Sequence, residues 1–168
     1  MTYIYHYKSP VGDMTAFSNG LALTALHFNG QKYASRMIKG DYEEKMLPVF
    51  EQTKQWLDLY FDKKIPDFMP QIFLTGSQFQ LEVWDILAKI PYGQTITYGD
   101  IAKQIARQRK IECMSPQAAG QAVGHNPAAI LIPCHRVVGT GGKLTGYAGG
   151  IDKKKALLAI EQEGLAAV

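Results

Sequence analysis

The predicted secondary structure changes near residue 74, from strand-like segments to helices, and this change limits the folds that the chain can adopt. In residues 1–74, short segments with many aromatic or β-branched residues alternate with turn chemistry. Asn19-Gly20 between Met14–Ser18 and Leu21–Phe28 predicts a hairpin closed by a two-residue primed turn. Apolar residues at helical spacing predict an amphipathic helix over Lys45–Tyr60. We therefore predict a small α/β unit, an antiparallel sheet with a helix.

The remainder of the chain, residues 75–168, is predicted to be mainly helical. A linker is predicted over Lys63–Pro70, because this segment contains two prolines. Capping residues and helical spacing predict helices from Ser77 to Pro91-Tyr92-Gly93, over Tyr98–Gln108 after Thr97, over Pro116–Gly124 after Ser115, and over Asp152–Glu163. The predicted fold class is α+β, with one domain over residues 1–74 and a second over 75–168.

The predicted helix Pro116–Gly124 is unusually poor in large side chains. It follows another helix after a basic connection, and such a pair resembles a helix-turn-helix. Alanine and glycine allow a helix backbone to approach another surface closely. That surface is either a ligand such as DNA or a neighbouring helix of the same protein, and the pattern alone leaves both open.

The composition is that of an ordinary globular protein, with 46% hydrophobic and 20% charged residues in 168. The segment Met1–Lys8 has no apolar stretch typical of a signal peptide, and no run of about 18 apolar residues predicts a membrane span. Two cysteines, Cys113 and Cys134, indicate free thiols in a reducing compartment. We therefore expect a cytoplasmic protein.

The net charge of +3 comes entirely from residues 75–168, because residues 1–74 are neutral. Lys103, Arg107, Arg109 and Lys110 form a local basic cluster there. Such a cluster suits contact with phosphate groups, but taken alone it is more typical of a solvated helix end.

The strongest chemical signal is the run Ile132-Pro133-Cys134-His135-Arg136-Val137. Apolar neighbours alone would raise the pKa of the Cys134 thiol, but His135 can take its proton directly or through one water molecule. Glu161 lies late in the last helix, against the helix dipole, and is a candidate to orient His135. Asn126-Pro127 is turn chemistry that can pin the loop before the cysteine. By spacing alone, a structural buried cysteine remains an alternative.

Other chemistries lack their sequence signals. Cys113, His125, Cys134 and His135 do not show the paired spacing of zinc ligands. No glycine-rich phosphate loop stands between a strand and a helix, so we predict no nucleotide cofactor and no metal.

These residues resemble the O6-alkylguanine-DNA alkyltransferases, a family of direct-reversal DNA repair proteins. The resemblance covers about residues 75–165 strongly, and residues 1–74 only in general architecture. Its motifs are Gly124-His125-Asn126-Pro127, Pro133-Cys134-His135-Arg136-Val137-Val138, Gly146-Tyr147-Ala148-Gly149-Gly150 and Leu157-Leu158-Ala159-Ile160-Glu161. The resemblance implies a winged-helix-like helix-turn-helix in the minor groove of double-stranded DNA, a flipped-out guanine, and a monomer without cofactor.

The resemblance also assigns roles by position. Cys134 accepts the alkyl group, His135 is the water-mediated base, Glu161 orients His135, Asn126 holds the turn, and Tyr98 protonates the departing base and helps to rotate the nucleotide. The substrate pocket is expected to involve Val137, Tyr147, Ala148 and Gly149. The DNA contacts are expected from Tyr98, Gly99, Gln117, Ala118, Gly120 and Gln121.

Two positions depart from what many members carry. Gln117 stands where many have an arginine that fills the gap left by the flipped base, so we expect weaker or more salt-tolerant DNA binding. Some members bind zinc through cysteines in the first domain, and residues 1–74 contain no cysteine. The thioether product has no ready reversal, so we expect one turnover per molecule on O6-alkylguanine, with O4-alkylthymine as a second candidate substrate.

Three competing functions remain testable. A DNA-binding regulator would not need Cys134. A cysteine hydrolase would draw a base from His6, His27 or His125 and would turn over repeatedly. An inactive lesion sensor of the same family would lack the cysteine, which is present here.

Overall fold

The computed structural model describes residues 1–31 and 40–167. Within these two ranges the chain forms six strands and five α-helices. In chain order they are β1 (Thr2–Ser9), β2 (Gly12–Ser18), β3 (Leu23–Phe28), β4 (Tyr42–Glu44), α1 (Pro48–Phe61), α2 (Gln78–Ala88), β5 (Ile96–Thr97), α3 (Tyr98–Arg109), α4 (Pro116–Gly124), β6 (Val137–Val138) and α5 (Ile151–Ala166).

The first unit is a four-stranded sheet in the order β3-β2-β1-β4, with α1 packed against it. The β1–β2 and β2–β3 pairs are antiparallel, with Tyr5 opposite Ala16 and Thr15 opposite His27, whereas β4 runs parallel to β1. Tyr5 stacks on Phe50 of α1 with ring centroids 5.7 Å apart. The sheet is therefore mixed and not purely antiparallel as predicted, but a sheet with a helix, followed by a helical second unit, confirms the predicted α+β class.

The hairpin between β2 and β3 exists, but the predicted two-residue primed turn is wrong. The loop has four residues, Asn19–Ala22, because the strands end at Ser18 and Leu23. The Asn19 side chain accepts hydrogen bonds from the backbone N–H groups of Leu21 and Ala22 at 3.0 and 2.9 Å. This side-chain bonding replaces the hydrogen bond that would close a tighter turn.

Helix α1 begins at Pro48 and not at Lys45 as predicted. Leu47 is extended, with φ −114° and ψ 158°, and Pro48 occupies the first helical turn. A residue before proline is driven out of the helical region by the proline ring, so the helix cannot extend further back. The last helix also differs slightly, because it begins directly after Gly150 and reaches Ala166.

The predicted linker, Lys63–Pro70, is free of strand and helix. Directly after it the chain returns to the sheet, where Leu23 donates its N–H to the Gln71 carbonyl and accepts from the Phe73 N–H. Residues 71–73 therefore lie along the free edge of β3, so the segment before them does not separate two independent bodies.

Helices α2, α3 and α4 pack against one another, and residues 110–115 join α3 to α4. Ser77 and Thr97 each form a capping box, and the Ser115 hydroxyl accepts hydrogen bonds at the start of α4. Trp84 of α2 donates its indole N–H to the Ala122 carbonyl at 2.9 Å. Ala119 and Ala122 are buried, so helix packing explains these two small residues of α4.

One hydrophobic core runs through both units. It contains buried side chains of the sheet and α1 together with those of α2, α3, α4 and residues 128–134. Leu26 of β3 is fully buried in it, and its backbone bonds to Pro127 and Ala129 of the second unit at 2.8 and 2.9 Å.

We predict that Leu26→Ala lowers the free energy of unfolding by about 2–5 kcal/mol, because it leaves a cavity where the two units meet. Urea denaturation followed by circular dichroism should show a single transition for wild type and for Leu26→Ala, because the two units of the chain share one core. Leu21→Ala, at a nearby position that is 81% exposed, is the control and should change stability by less than about 0.5 kcal/mol. Two separate transitions would contradict the shared core.

Candidate active site

Cys134 begins a short 3₁₀ turn, Cys134–Arg136, that leads into β6. Its side chain is buried, with 7% exposure. The turn before it is tight, because Ile132 donates its N–H to the Ala128 carbonyl at 2.9 Å and Cys134 donates to the Ile132 carbonyl at 2.8 Å. Ile130 within this turn has φ +69°, a costly conformation for a β-branched residue that only strong surrounding contacts can hold.

Asn126 supplies those contacts from inside the turn. Its side-chain amide donates to the Ile132 carbonyl at 2.6 Å, and its carbonyl oxygen accepts the Ala128 N–H at 3.0 Å. Outside the turn, β3 of the first unit binds both sides of Ala128 through Leu26. The sheet and Asn126 together hold the cysteine loop in one conformation.

The side chain of Glu161 in α5 lies at the centre of a buried network. Its Oε2 accepts from His135 Nε2 and from the Tyr60 hydroxyl, the latter at 2.7 Å. Its Oε1 accepts from Arg136 Nε at 2.8 Å and from the Gly93 N–H at 2.9 Å. Burial alone would raise the pKa of Glu161, but the hydrogen bonds and charges of His135 and Arg136 bring the pKa down to about 2.

The hydrogen bond between His135 Nε2 and Glu161 Oε2 decides the tautomer of His135. Because a carboxylate can only accept, Nε2 carries the proton that faces Glu161. Nδ1 is then the ring nitrogen that can accept a proton, and it has no hydrogen-bond partner among the described residues. Burial lowers the pKa of His135 although Glu161 opposes this effect, so the neutral ring is favoured.

A cavity of about 300 Å³ opens onto the Cys134 side chain. Its wall includes six of the predicted site residues: Cys134, Tyr98, Gly120, Gln121, Tyr147 and Ala148. A neighbouring groove of about 390 Å³ shares Tyr98 and Gly120 with it and is also lined by Gly99 and Gln117. The predicted pocket and DNA-contact residues therefore meet on one side of the molecule, between α4 and the loop that precedes α5.

Three predicted residues line neither the cavity nor the groove. Val137 is fully buried in β6, opposite Ile96 of β5. Gly149 packs so closely that a Cβ atom there would come within 2.9 Å of both Phe28 and Tyr147. Ala118 is half-buried on α4. These positions shape the elements around the cavity.

The loop that carries Tyr147 is held by two contacts that the sequence analysis missed. The Lys154 ammonium donates to the carbonyl oxygens of Thr145 and Gly146 at 2.9 and 3.3 Å, and its side chain is fully buried. The Tyr147 ring meets the edge of Phe28 from β3, with centroids 6.5 Å apart. The first unit thus supports this loop as well as the cysteine loop.

The groups around the Cys134 thiol have opposite effects on its pKa. Burial is the largest effect and leaves the pKa of Cys134 raised, while the nearby Asn126 amide and the positive charge of Lys154 act in the opposite direction. Burial and the nearby Cys134 raise the pKa of Tyr147 well above its ordinary value, so this phenol keeps its proton. The resting Cys134 is therefore the neutral thiol, and the Asn126 amide and the Lys154 ammonium favour any negative charge that develops on sulfur.

Tyr60, Gly93 and Lys154 are the contributors that sequence reasoning did not identify. The charge order of the last helix, used above to single out Glu161, applies equally to Lys154, since a cation near a helix start also opposes the dipole. Of the five charges in α5 that oppose the dipole, two are buried, Lys154 and Glu161, so the charge order alone does not separate these two from Lys153, Lys155 and Glu163. Tyr60 and Gly93 carry no comparable signal, because their role depends on tertiary packing alone.

The histidines considered as alternative bases and the basic cluster lie in different parts of the molecule. His6 and His27 line a different cavity on the sheet, whereas His125 lines the cavity of Cys134. In the basic cluster, Arg109 pairs with Glu82 at 2.9 Å, while Lys103 and Arg107 are exposed on α3.

Residues 1–31 and 40–167 contain neither a metal-ligand cluster nor a membrane-spanning helix. No group of three His, Cys, Asp or Glu side chains there could hold a metal ion. No helix in these ranges has the length and apolar character needed to cross a membrane.

Comparison with known families identifies both units of the chain. Residues 2–69 match the 6-O-methylguanine DNA methyltransferase, ribonuclease-like domain, and residues 78–163 match the 6-O-methylguanine DNA methyltransferase, DNA binding domain. The methylated-DNA–protein-cysteine methyltransferase of Mycobacterium tuberculosis H37Rv is 40% identical over 166 residues, covering 94% of this chain and 92% of the relative. The same enzyme of Methanosarcina barkeri is 40% identical over 159 residues, covering 94% and 96%.

Solved structures show the same likeness. The O6-methylguanine methyltransferase of M. tuberculosis superposes with a TM-score of 0.82 at 38% identity, covering 97% of this chain and 94% of the other. The M. tuberculosis OGT in complex with DNA gives 0.83 at 37% identity, covering 96% and 94%. The chain therefore belongs to the methylated-DNA–protein-cysteine methyltransferases, DNA repair proteins that transfer an alkyl group to a cysteine of their own.

Proposed function

We propose that this protein repairs O6-alkylguanine in double-stranded DNA by moving the alkyl group to Cys134, once per molecule, after the damaged base has been flipped out. The observation that carries the proposal is the position of the Cys134 thiol, buried in the wall of a cavity of about 300 Å³ and directly before His135 in the Glu161 network. A base in a DNA duplex is stacked, so its O6 substituent can reach such a thiol only from outside the helix.

In the proposed reaction, His135 takes the thiol proton of Cys134 at Nδ1, directly or through one water molecule. The sulfur then forms a bond to the alkyl carbon while the carbon–O6 bond breaks, and its electron pair remains on guanine. The Tyr98 hydroxyl gives its proton to the departing guanine, and both Tyr98 and His135 return to their starting states by proton exchange with solvent. The products are guanine in DNA and a thioether on Cys134.

The proposed DNA surface is the side where the cavity and the groove meet. We assign α3 and α4 as a helix-turn-helix whose exposed residues Gln117 and Gln121 face the DNA together with Ala118. The exposed cations Lys103 and Arg107 of α3 are suited to phosphate contact. Gly99 and Gly120 keep the cavity and groove open to a nucleotide.

We assign residues 1–74 and 75–168 to two domains that act together in a monomer in the cytoplasm. The free thiols of Cys113 and Cys134 suit a reducing compartment. O4-alkylthymine is a second candidate substrate, because it presents a similar alkyl carbon on a flipped base.

We predict that incubation with a duplex containing O6-methylguanine adds one methyl group to each protein molecule, at Cys134, and then stops. Intact-mass spectrometry followed by peptide mapping measures this. Cys113→Ser is the matched control and should react normally, because Cys113 is exposed and outside the cavity, whereas Cys134→Ser should not be methylated. Continued turnover would instead favour a hydrolase that uses His125, and DNA binding without methylation would favour a regulator.

We predict that Gln117→Arg tightens binding to duplex DNA at low salt and steepens the dependence of log Kd on log salt by about one unit, because it adds one phosphate-seeking cation. Fluorescence anisotropy across a salt series measures both quantities. Gln52→Arg adds the same charge on the exposed surface of α1 and serves as control. Equal slopes for the two variants would mean that Gln117 does not face the DNA.

A further inference from the structure

Tyr60 brings the first unit into direct contact with the catalytic network. Its hydroxyl lies 2.7 Å from Glu161 Oε2 and 3.4 Å from His135 Nε2, although 101 and 75 residues separate them in the chain. We propose that Tyr60 is a positioning residue for alkyl transfer, whose hydroxyl occupies Glu161 Oε2 and thereby limits how strongly this oxygen stabilises a protonated His135. The proposal rests on the proposed role of His135 as the base.

The Tyr60 ring has no freedom to leave this position. It is fully buried, stacked on Trp56 with centroids 5.5 Å apart, and in edge contact with Phe61, Tyr92 and the His135 ring at 5.3 to 6.4 Å. Burial and the Glu161 carboxylate raise the pKa of Tyr60, so the hydroxyl stays protonated and acts as a donor. The Tyr60 hydroxyl therefore always donates to Glu161 Oε2 and affects the hydrogen bond that His135 makes to the same oxygen.

The physical effect follows from competition for one oxygen atom. Oε2 accepts two hydrogen bonds, and each donor draws electron density from it and reduces its attraction for the other. Without the Tyr60 hydroxyl, Oε2 would bind the His135 Nε2–H more strongly and would favour the imidazolium. The pKa of His135 would rise, and a smaller fraction of the protein would hold the neutral base at acidic pH.

The other charged and titratable groups around Glu161 and His135 come from four segments of the chain. They are Tyr92 after α2, Cys134 and Arg136 in the 3₁₀ turn, Tyr147 in the loop before α5, and Lys154 in α5. Arg136 and Lys154 both lower the pKa of His135. Removing the Tyr60 hydroxyl leaves these two influences in place and removes only its hydrogen bond to Glu161 Oε2 and its longer contact to His135 Nε2.

Tyr7 provides a matched control that separates a structural effect of the Tyr60 hydroxyl from an effect on His135. The Tyr7 hydroxyl donates to Asp58 of α1 at 2.7 Å, which is also a phenol-to-carboxylate hydrogen bond. Tyr7→Phe thus removes the same type of interaction without contact to His135. Any effect that both variants share reports stability and not the reaction.

The test compares wild type, Tyr60→Phe and Tyr7→Phe in two measurements. The first is an NMR titration of the His135 ring in the free protein, where Tyr60→Phe is expected to raise its midpoint by about half a pH unit or more. The second is the single-turnover rate of methyl transfer against pH, where the acidic limb should move to higher pH by a similar amount. Tyr7→Phe should match wild type in both.

Unchanged midpoints in Tyr60→Phe, or shifts equal to those of Tyr7→Phe, would overturn the proposal. If Tyr60→Phe does not fold, 3-fluorotyrosine at position 60 replaces it. Its hydroxyl is a stronger donor, so the His135 midpoint should fall, and a rise or no change would overturn the proposal. A wild-type protein that transfers no methyl group would refute the proposed function, while the NMR titration would still decide the effect of Tyr60 on His135.

Discussion

The buried carboxylate of Glu161 is the group on which the arrangement of the site depends. Its two oxygens accept four hydrogen bonds, from Tyr60, Gly93, His135 and Arg136. A buried carboxylate is costly unless donors and a counter-charge compensate it, and here both are present. Because the donors come from α1, the loop after α2 and the turn that begins at Cys134, one side chain of α5 fixes three other parts of the chain relative to one another.

The first unit contributes to the site although the recognisable chemistry lies in the second. Strand β3 binds the cysteine loop through Leu26, Phe28 contacts the Tyr147 ring, and Tyr60 reaches Glu161. In the proposed reaction, a flexible alkyl acceptor would lose the alignment that in-line attack on a carbon atom requires. The contacts of the sheet with both loops beside the cavity fit this requirement.

Much of the second unit follows from local signals in the sequence. Ser77, Thr97 and Ser115 mark helix starts because a capping side chain acts within three residues of its own position. Asn126 is identifiable for the same reason, since its hydrogen bonds stay within its own turn. His135 is identifiable because it follows Cys134, and Glu161 because its charge opposes the dipole of the last helix; the family motif supports their pairing across 26 residues.

The Asn19–Ala22 loop is a local feature that the Asn-Gly pair does not specify, because the Asn19 side chain accepts from the N–H groups of Leu21 and Ala22 and forms a four-residue loop. The other differences depend on tertiary contacts. Tyr60 reads as one more apolar position of an amphipathic helix, and only its packing shows that the hydroxyl meets a carboxylate. Lys154 looks like one cation in a run of three, until its burial separates it from Lys153 and Lys155.

In the proposed reaction Glu161 prepares His135 to take the Cys134 proton, and Glu161→Gln tests this role most directly. Glutamine keeps the shape of the side chain but removes its negative charge and replaces one accepting oxygen with an NH2 group, which only donates, so the four donors around this side chain can no longer all be accepted. The single-turnover rate of methyl transfer from O6-methylguanine DNA should fall by about a hundredfold or more, while DNA affinity stays unchanged. A folded Glu161→Gln protein that transfers the methyl group within about threefold of the wild-type rate would contradict the account.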